Sequence, residues 1–320
     1  MTSAPQPSFP RVAVLMATFN GAAHIASQIA SVLWQLRVHV DIFIRDDGST
    51  DHTIGTVFEA FPGTRIHLIR DRPGPACVHD RGAALNFYRL IASKSLLVSG
   101  YDWVAFSDQD DIWLPNKLCS AINDCLQSGS PACSSSVLAF WGTSCKAKYI
   151  PKQGKASEIN YLFESPGPGC TIVLRSDVFE ELQGFVRANF TPLLRIEFHD
   201  WLVYAFVVKN YGSWFISPQV SMLYCQHGFN VAGAGFSFLQ LRKKLFLVSS
   251  GWYRQQVLFL SALFNMDRHP ALVRFSRFNF WDRIVLPFVL WRHRRRIKDR
   301  MLLLLVLPFS SSSYLSKRVY

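Results

Sequence analysis

An α/β fold with a mostly parallel sheet flanked by helices is predicted by three observations. From residue 12 to about 107, short β-rich runs alternate with helical periodicity. One of those runs, WVAF, is apolar throughout and reads as a buried strand. Polar clusters follow three of the runs directly, so they fall at one edge of the sheet, where ligands bind in open α/β folds.

Taken in order, VAVLMA (12 to 17) reads as a strand, AAHIASQIASVLWQL (22 to 36) as an amphipathic helix and DIFIRD (41 to 46) as a second strand. STDHTIGTVFEAF reads as a helix with Ser49 as N-cap and Asp51 in its first turn. RIHLI, AALNFYRLIA and WVAFS continue as strand, helix and strand. PNKLCSAINDCLQ (115 to 127) is helical, SVLAFWG (136 to 142) is strand-like, and KAKYIPKQGKASEIN has no clear element. GPGCTIVLR (167 to 175) is a Gly-rich turn into a strand, and SDVFEEL (176 to 182) a short helix with an N-cap serine. HDWLVYAFVVKNYG (199 to 212) is a helix, followed by two strand-like runs, SWFIS and QVSMLYCQH.

These runs divide the chain into a tail (1 to 10), a catalytic domain (11 to 235) and, after the linker GFNVAGAG (228 to 235), an aromatic and basic helical region (236 to 320). With 320 residues, 49% of them hydrophobic and 14% aromatic, the chain can bury a sizeable core. The net charge of +12 raises the question of an acidic partner: nucleic acid, an anionic membrane or a phosphorylated substrate. Seven cysteines form no CxxC pair and no zinc-like spacing, which reads as reduced thiols in a cytosolic compartment. No basic segment precedes the first apolar run, so a signal peptide is not expected, and no stretch is long and apolar enough to read as a transmembrane helix.

The edge clusters are Thr18-Phe19-Asn20, Asp46-Asp47-Gly48-Ser49 and Asp108-Gln109-Asp110-Asp111. Clustered carboxylates repel one another unless a cation or hydrogen-bond donors neutralise them. Oxygen ligands suit hard ions such as Mg²⁺ or Mn²⁺, commonly shared with substrate phosphates. Capping of the next turn is the competing reading for Asp108 or Asp111 taken singly.

MATFNG, RDDGSTD, SDQDDIWLPNKL and HDW together resemble the sequential motifs of family 2 glycosyltransferases, over about residues 11 to 233. SDQDDIW with HDW and QHG-x-N most resembles the rhamnosyltransferase-like group that builds bacterial surface polysaccharides. The resemblance implies a GT-A fold and a nucleotide-diphospho-sugar donor. It implies that Thr18 and Asn20 line the nucleotide pocket and that Asp46 or Asp47 contacts the base. Asp108-Gln109-Asp110 matches the DxD motif, with Asp108 expected near the ribose and the metal, Asp110 on the metal, and Asp111 in support. His199-Asp200 stands where many relatives have Glu-Asp, which makes Asp200 the expected general base.

An inverting transfer needs such a base for the acceptor hydroxyl and a cation for the departing diphosphate. At a helix start, Asp200 would accept backbone N–H bonds, lowering its pKa and weakening it as a base. His199 and His227 are candidate metal ligands or phosphate donors, with a buried structural histidine the competing reading. Trp113 and Trp201 are candidates to stack on a sugar, against core packing, which is the better reading for Trp113. Asn86 is expected to order the pocket or to pack on a helix face. Arg45 is placed to pair with Asp46 or Asp47. DRPGPACVHDRG departs from the Asn-x-Gly turn of many relatives after the third strand.

WRHRRRIKDR (291 to 300) reads in two ways: as a peripheral contact with anionic lipid at the inner face of the cell membrane, or as a helical pair packed back on the core. The acceptor implied by the resemblance is a saccharide, lipid-linked in the first of these readings. Two rivals remain at this level. One is a nucleotidyltransferase; the other is a non-enzymatic basic membrane or RNA-binding module, against which the acidic strand ends argue because they repel a phosphate backbone.

Overall fold

The computed structural model describes residues 8–71, 73–74, 82–155, 157–226 and 238–311. Its first half is the predicted parallel unit: β1 (Arg11–Thr18), β2 (His39–Asp46), β3 (Ile66–Leu68) and β4 (Trp103–Ser107) lie in the order β3-β2-β1-β4. The crossover helices are α1 (Ile25–Leu33), α2 (Thr53–Ala60) and α3 (Ala83–Ala92). β1 reads as an unbroken apolar run because both its faces are covered. Val12, Val14 and Met16 enter a core with α1, while Ala13, Leu15 and Ala17 enter a second core with α3, following the period of two along a strand.

After β4 come β5 (Ile112–Trp113), α4 (Lys117–Ser128), β6 (Ala132–Trp141), β7 (Lys146–Ile150), β8 (Val173–Arg175), α5 (Ser176–Ala188), α6 (Phe190–Leu193), α7 (His199–Tyr211) and β9 (Phe215–Cys225). The sheet changes sense here. β8 pairs antiparallel with β4 and with β6, β9 runs parallel to β6, and β5 pairs antiparallel with β9. From this part of the sheet Cys170 and Cys225 reach the aspartates that follow β4.

Several expectations are corrected. Residues 146–150, read as loop, form β7 against β6, and the two runs SWFIS and QVSMLYCQH are one strand, β9, with register shifts along β6 beside Ser136. Ser49 does not cap α2, whose N-cap is His52 with no side-chain bond. Instead Ser49 Oγ receives the Asn20 N–H at 2.8 Å and bonds Asp46, while Asp51 accepts the N–H groups of Ala22 and Thr53. Ser176 is the first residue of α5, not its cap, and that helix runs to Ala188.

The remaining helices are α8 (Phe238–Ser249), α9 (Trp252–Leu263), α10 (Pro270–Arg277), α11 (Phe280–His293) and α12 (Ile297–Val306). They share the α3-side core: Trp252, Tyr253, Val257, Phe275, Leu286 and Leu303 join the cluster that holds Phe106 and Leu202. Between α11 and α12 the helical run breaks at Arg294–Arg296, and the break is held by buried charge. Arg295 Nε lies 2.8 Å from Glu164 Oε1, which also receives the Arg295 N–H at 3.0 Å. Arg295 further donates to Ser165 O and Arg294 to Phe163 O. Part of the basic run therefore faces inward. The proposed boundary at 228–235 lies outside the described residues, as does His227.

Candidate active site

The ends of β1, β2 and β4 converge. Asp46 closes the turn after β2: its Oδ1 accepts Thr18 Oγ1 at 2.9 Å, and its Oδ2 accepts the N–H groups of Gly48 and Ser49 at 3.0 and 2.8 Å. Asn20 Oδ1 accepts the Thr50 N–H at 2.8 Å, tying the loops after β1 and β2 together. Gln109, between two of the aspartates, receives the Phe19 N–H at 3.0 Å and returns a bond to Phe19 O at 2.9 Å. A Cβ on Gly21 would lie 2.1 Å from Gln109 Oε1, so this clasp requires glycine there.

Asp47 is buried between guanidinium groups, with Arg45 Nη1 at 3.4 Å and Arg89 Nη1 at 3.7 Å. Asn86 on α3 donates to the carbonyls of Thr18 and Arg45 at 3.1 and 3.2 Å and accepts from Arg45 Nη1 at 2.5 Å. It is buried and ties the ends of β1 and β2 to α3. Arg45 pairs with Asp47, one of its two expected partners.

The acidic centre lies beyond β4. Donor atoms of Asp108, Asp111 and Cys170 all fall within 4.8 Å of one another. Asp111 is buried; its Oδ1 accepts the Cys225 N–H at 3.1 Å, and its Oδ2 is buried with no hydrogen-bond partner. Burial, then the charge of Asp110, then that of Asp200 push Asp108 up to about 7. Burial, then Asp108 and Asp110, raise Asp111 well above the usual carboxylate range. Burial, then Asp111 and Asp108, likewise keep the Cys170 thiol protonated. The cation facing this group from within is Lys117, 1% exposed, its ammonium 4.5 Å from the centre of the Trp113 ring and its pKa lowered by burial.

An orphaned carboxylate oxygen among closely spaced carboxylates fits a divalent cation. Cys170 and Lys117 were not singled out from sequence. The Gly-rich turn GPGCT was visible as a turn, but nothing in it says that the thiol meets the aspartates.

Asp200 opens α7, and its Oδ1 accepts the N–H of Trp201 at 2.9 Å. Contrary to the expectation of a lowered pKa, burial outweighs that bond and pushes the carboxyl up to about 6, with the Trp201 N–H, Ser165 and Lys152 opposing. Its charge contributes to the raised pKa of Asp108, so the expected base lies within electrostatic reach of the acidic centre. His199 packs against Phe87 with ring centroids 3.9 Å apart, and burial lowers its pKa to about 3, which keeps it neutral. A Cβ on Gly169 would stand 2.3 Å from His199 Nε2, so the ring is boxed in by the turn that carries Cys170.

Trp113 and Trp201 are 2% and 4% exposed, and Trp201 donates its indole N–H to Tyr161 O at 2.7 Å. Neither ring offers a face to a sugar; both are core. Phe19, a member of the first edge cluster to which the sequence assigns no role of its own, is an exposed aromatic at this edge.

The parallel sheet edge thus carries two loops tied to each other, an acidic centre and a further buried carboxylate within its electrostatic reach. Residues 13–135 match the family described as glycosyl transferase family 2. The chain is 36% identical over 294 residues to the dTDP-rhamnosyl transferase RfbG of Shigella flexneri, covering 91% of this chain and 98% of that protein. The chain belongs to glycosyl transferase family 2, in its rhamnosyltransferase-like group.

It is also 29% identical over 164 residues, 51% of this chain and 59% of the relative, to the Escherichia coli glucosyltransferase WfgD, which acts on a GlcNAc-diphosphoundecaprenol acceptor. Among solved structures, S. aureus TarS 1-349 with UDP-GlcNAc shares the fold at 15% identity and TM-score 0.53, over 88% of this chain and 72% of that one. The mannosyltransferase PcManGT of Pyrobaculum calidifontis with GDP-Man and Mn²⁺ shares it at 15% identity and TM-score 0.52, over 89% and 75%. Membership of the family removes the nucleotidyltransferase and the non-enzymatic module as readings of the whole chain.

Proposed function

We propose that this glycosyltransferase moves rhamnose, or a related deoxyhexose, from a dTDP donor to a saccharide acceptor of a growing surface glycan, with inversion and with a divalent metal. The observation that carries the chemistry is the buried Asp200, within electrostatic reach of Asp108 and with its pKa raised to about 6. The acceptor hydroxyl attacks the anomeric carbon as the bond from that carbon to the phosphate oxygen breaks. The hydroxyl proton passes to Asp200, and the electron pair leaves with the nucleoside diphosphate. A carboxylate with a pKa of about 6 is a better base than an ordinary aspartate and is still ionised at neutral pH.

Asp108 and Asp110, the DxD match, with Asp111 beside them, are the residues that would hold Mg²⁺ or Mn²⁺, which neutralises charge on the departing diphosphate. Thr18, Asn20, Asp46, Asp47 and Gln109 shape the nucleotide side. The carboxylates of Asp46 and Asp47 are already engaged within the protein, so they serve it by holding the turn. The donor assignment draws on the relative whose whole length this chain matches.

The acceptor is proposed to be lipid-linked, which sets the enzyme at the inner face of the cell membrane. Among the described residues no helix is long and apolar enough to cross a membrane. The test is donor binding and hydrolysis across a panel of nucleotide-sugars, with and without Mn²⁺ or Mg²⁺, comparing the wild type with Asp110→Ala. Metal-dependent use of a dTDP-deoxyhexose, lost in the variant, is expected. Equal activity in chelator would overturn the metal assignment, and preference for another donor would overturn the sugar.

A further inference from the structure

We propose that α11, α12 and the turn after them form a docking face for an anionic lipid surface. α11 leaves Phe280, Trp281, Ile284 and Phe288 exposed, and at 3.6 residues per turn these fall within an arc of about 100°. α12 leaves Ile297, Met301 and Leu305 exposed at a spacing of four, again one stripe. The core-facing sides of the same helices bury Leu286, Leu290 and Leu303, so each helix carries a second, outward apolar stripe. Arg283 Nη1 donates to Ser310 O at 2.9 Å and to Pro308 O at 3.4 Å. Those two carbonyls bracket Phe309, 83% exposed, and set it beside α11.

Charge chooses the occupant. Residues 236–320 carry 16 Lys and Arg against three Asp, a balance of +13, whereas residues 1–235 carry 18 against 19, a balance of −1. Around the stripes, Arg277, Arg292 and Lys298 are exposed. Asp282 is buried under Arg274 and Arg277, at 3.1 and 3.3 Å, so its charge does not offset the rim. Large apolar side chains between cations match an interface of acyl chains beneath anionic headgroups. A second copy docked face to face would press two strongly basic regions together, which argues against self-association.

The face gives the lipid-linked acceptor of the proposed function a surface to be met on, and rests on that reading for its purpose only; binding is measured with neither substrate present. The experiment is co-sedimentation of the full chain with phosphatidylcholine vesicles, with and without phosphatidylglycerol, over a range of salt. Salt-sensitive binding to the anionic vesicles is expected. It should fall at least ten-fold in the combined variant Trp281→Ser, Phe288→Ser, Met301→Ser, Leu305→Ser, and also in Arg292→Gln, Lys298→Gln.

All four apolar positions are exposed, so the variant should keep the wild-type melting temperature and donor hydrolysis in vesicle-free solution. Undiminished vesicle binding by the apolar variant, or equal binding to neutral vesicles, overturns the proposal. So does a wild-type dimer in light scattering that the variant dissolves while vesicles are ignored, which would make the face a contact between proteins. Vesicle binding without donor use would instead spare this face and fault the proposed reaction.

Discussion

The two ends of the chain handle charge in opposite ways. Residues 1–235 are nearly neutral overall, yet they gather Asp108, Asp110, Asp111 and Asp200 into one partly buried site. Residues 236–320 hold all of the excess positive charge and spread much of it outward, next to exposed aromatic and aliphatic side chains. A whole-chain charge of +12 therefore describes neither part. On the proposed reading the acidic partners suggested by the total would be two: a diphosphate met through a cation at one end, and an anionic surface met directly at the other.

The sharpest way to break the comparison is at the acidic end. Asp200→Asn should lower kcat by about 10²–10⁴-fold while donor affinity stays close to wild type. An unchanged kcat would remove Asp200 as the base. Arg295→Ala, at the junction of the two parts, should destabilise the fold by about 3–5 kcal/mol in denaturant unfolding, because Glu164 is left buried without its main partner. The double change Glu164→Gln, Arg295→Met should recover much of that loss, and a double variant no better than the single would show that the pair is not the cause.

A third effect follows from pH. The folded pKa of Asp200, about 6, lies above its ordinary value, so the group favours folding fully at low pH. That contribution is lost as pH rises from about 4 through about 6. The metal-free protein should lose on the order of 2–3 kcal/mol from this group between pH 4 and pH 7, while kcat rises over the upper part of that range as the base ionises. As pH rises the wild type should lose melting temperature relative to Asp200→Asn, and a wild type that gains on the variant would show the sign to be wrong. The smallest effect belongs to the basic end: Trp281→Ser alone should change stability by no more than about 0.5 kcal/mol, since the ring is exposed.

The parallel half of the fold was legible because its signals are local. β1, β2 and β4 are apolar runs ended by polar clusters, and α3 was read with its observed ends. The antiparallel half was harder. β7, KAKYI, is short and largely exposed and exists through its pairing with β6, which no local pattern announces. In the site, Asp108, Asp111 and Asp200 could be picked out as carboxylates at element ends. Cys170 and Lys117 could not, because a thiol in a glycine turn and a lysine in a helix signal nothing until the chain folds them beside Asp111. The pKa direction of Asp200 was misjudged for a related reason: an N-terminal helix position is visible in sequence, while burial depends on residues far along the chain.

The clasp of Arg294 and Arg295 on residues 163–165 has a consequence for anyone recombining these enzymes. Ser165, whose side chain helps to hold Asp200, has its own carbonyl bound by Arg295. A chimaera that imports the terminal helices of a relative to redirect the enzyme toward another acceptor would import one half of a lock without its matching half. Residues 160–165 and 294–295 have to be exchanged as a set, and a crossover placed at the apparent linker near residue 230 separates them.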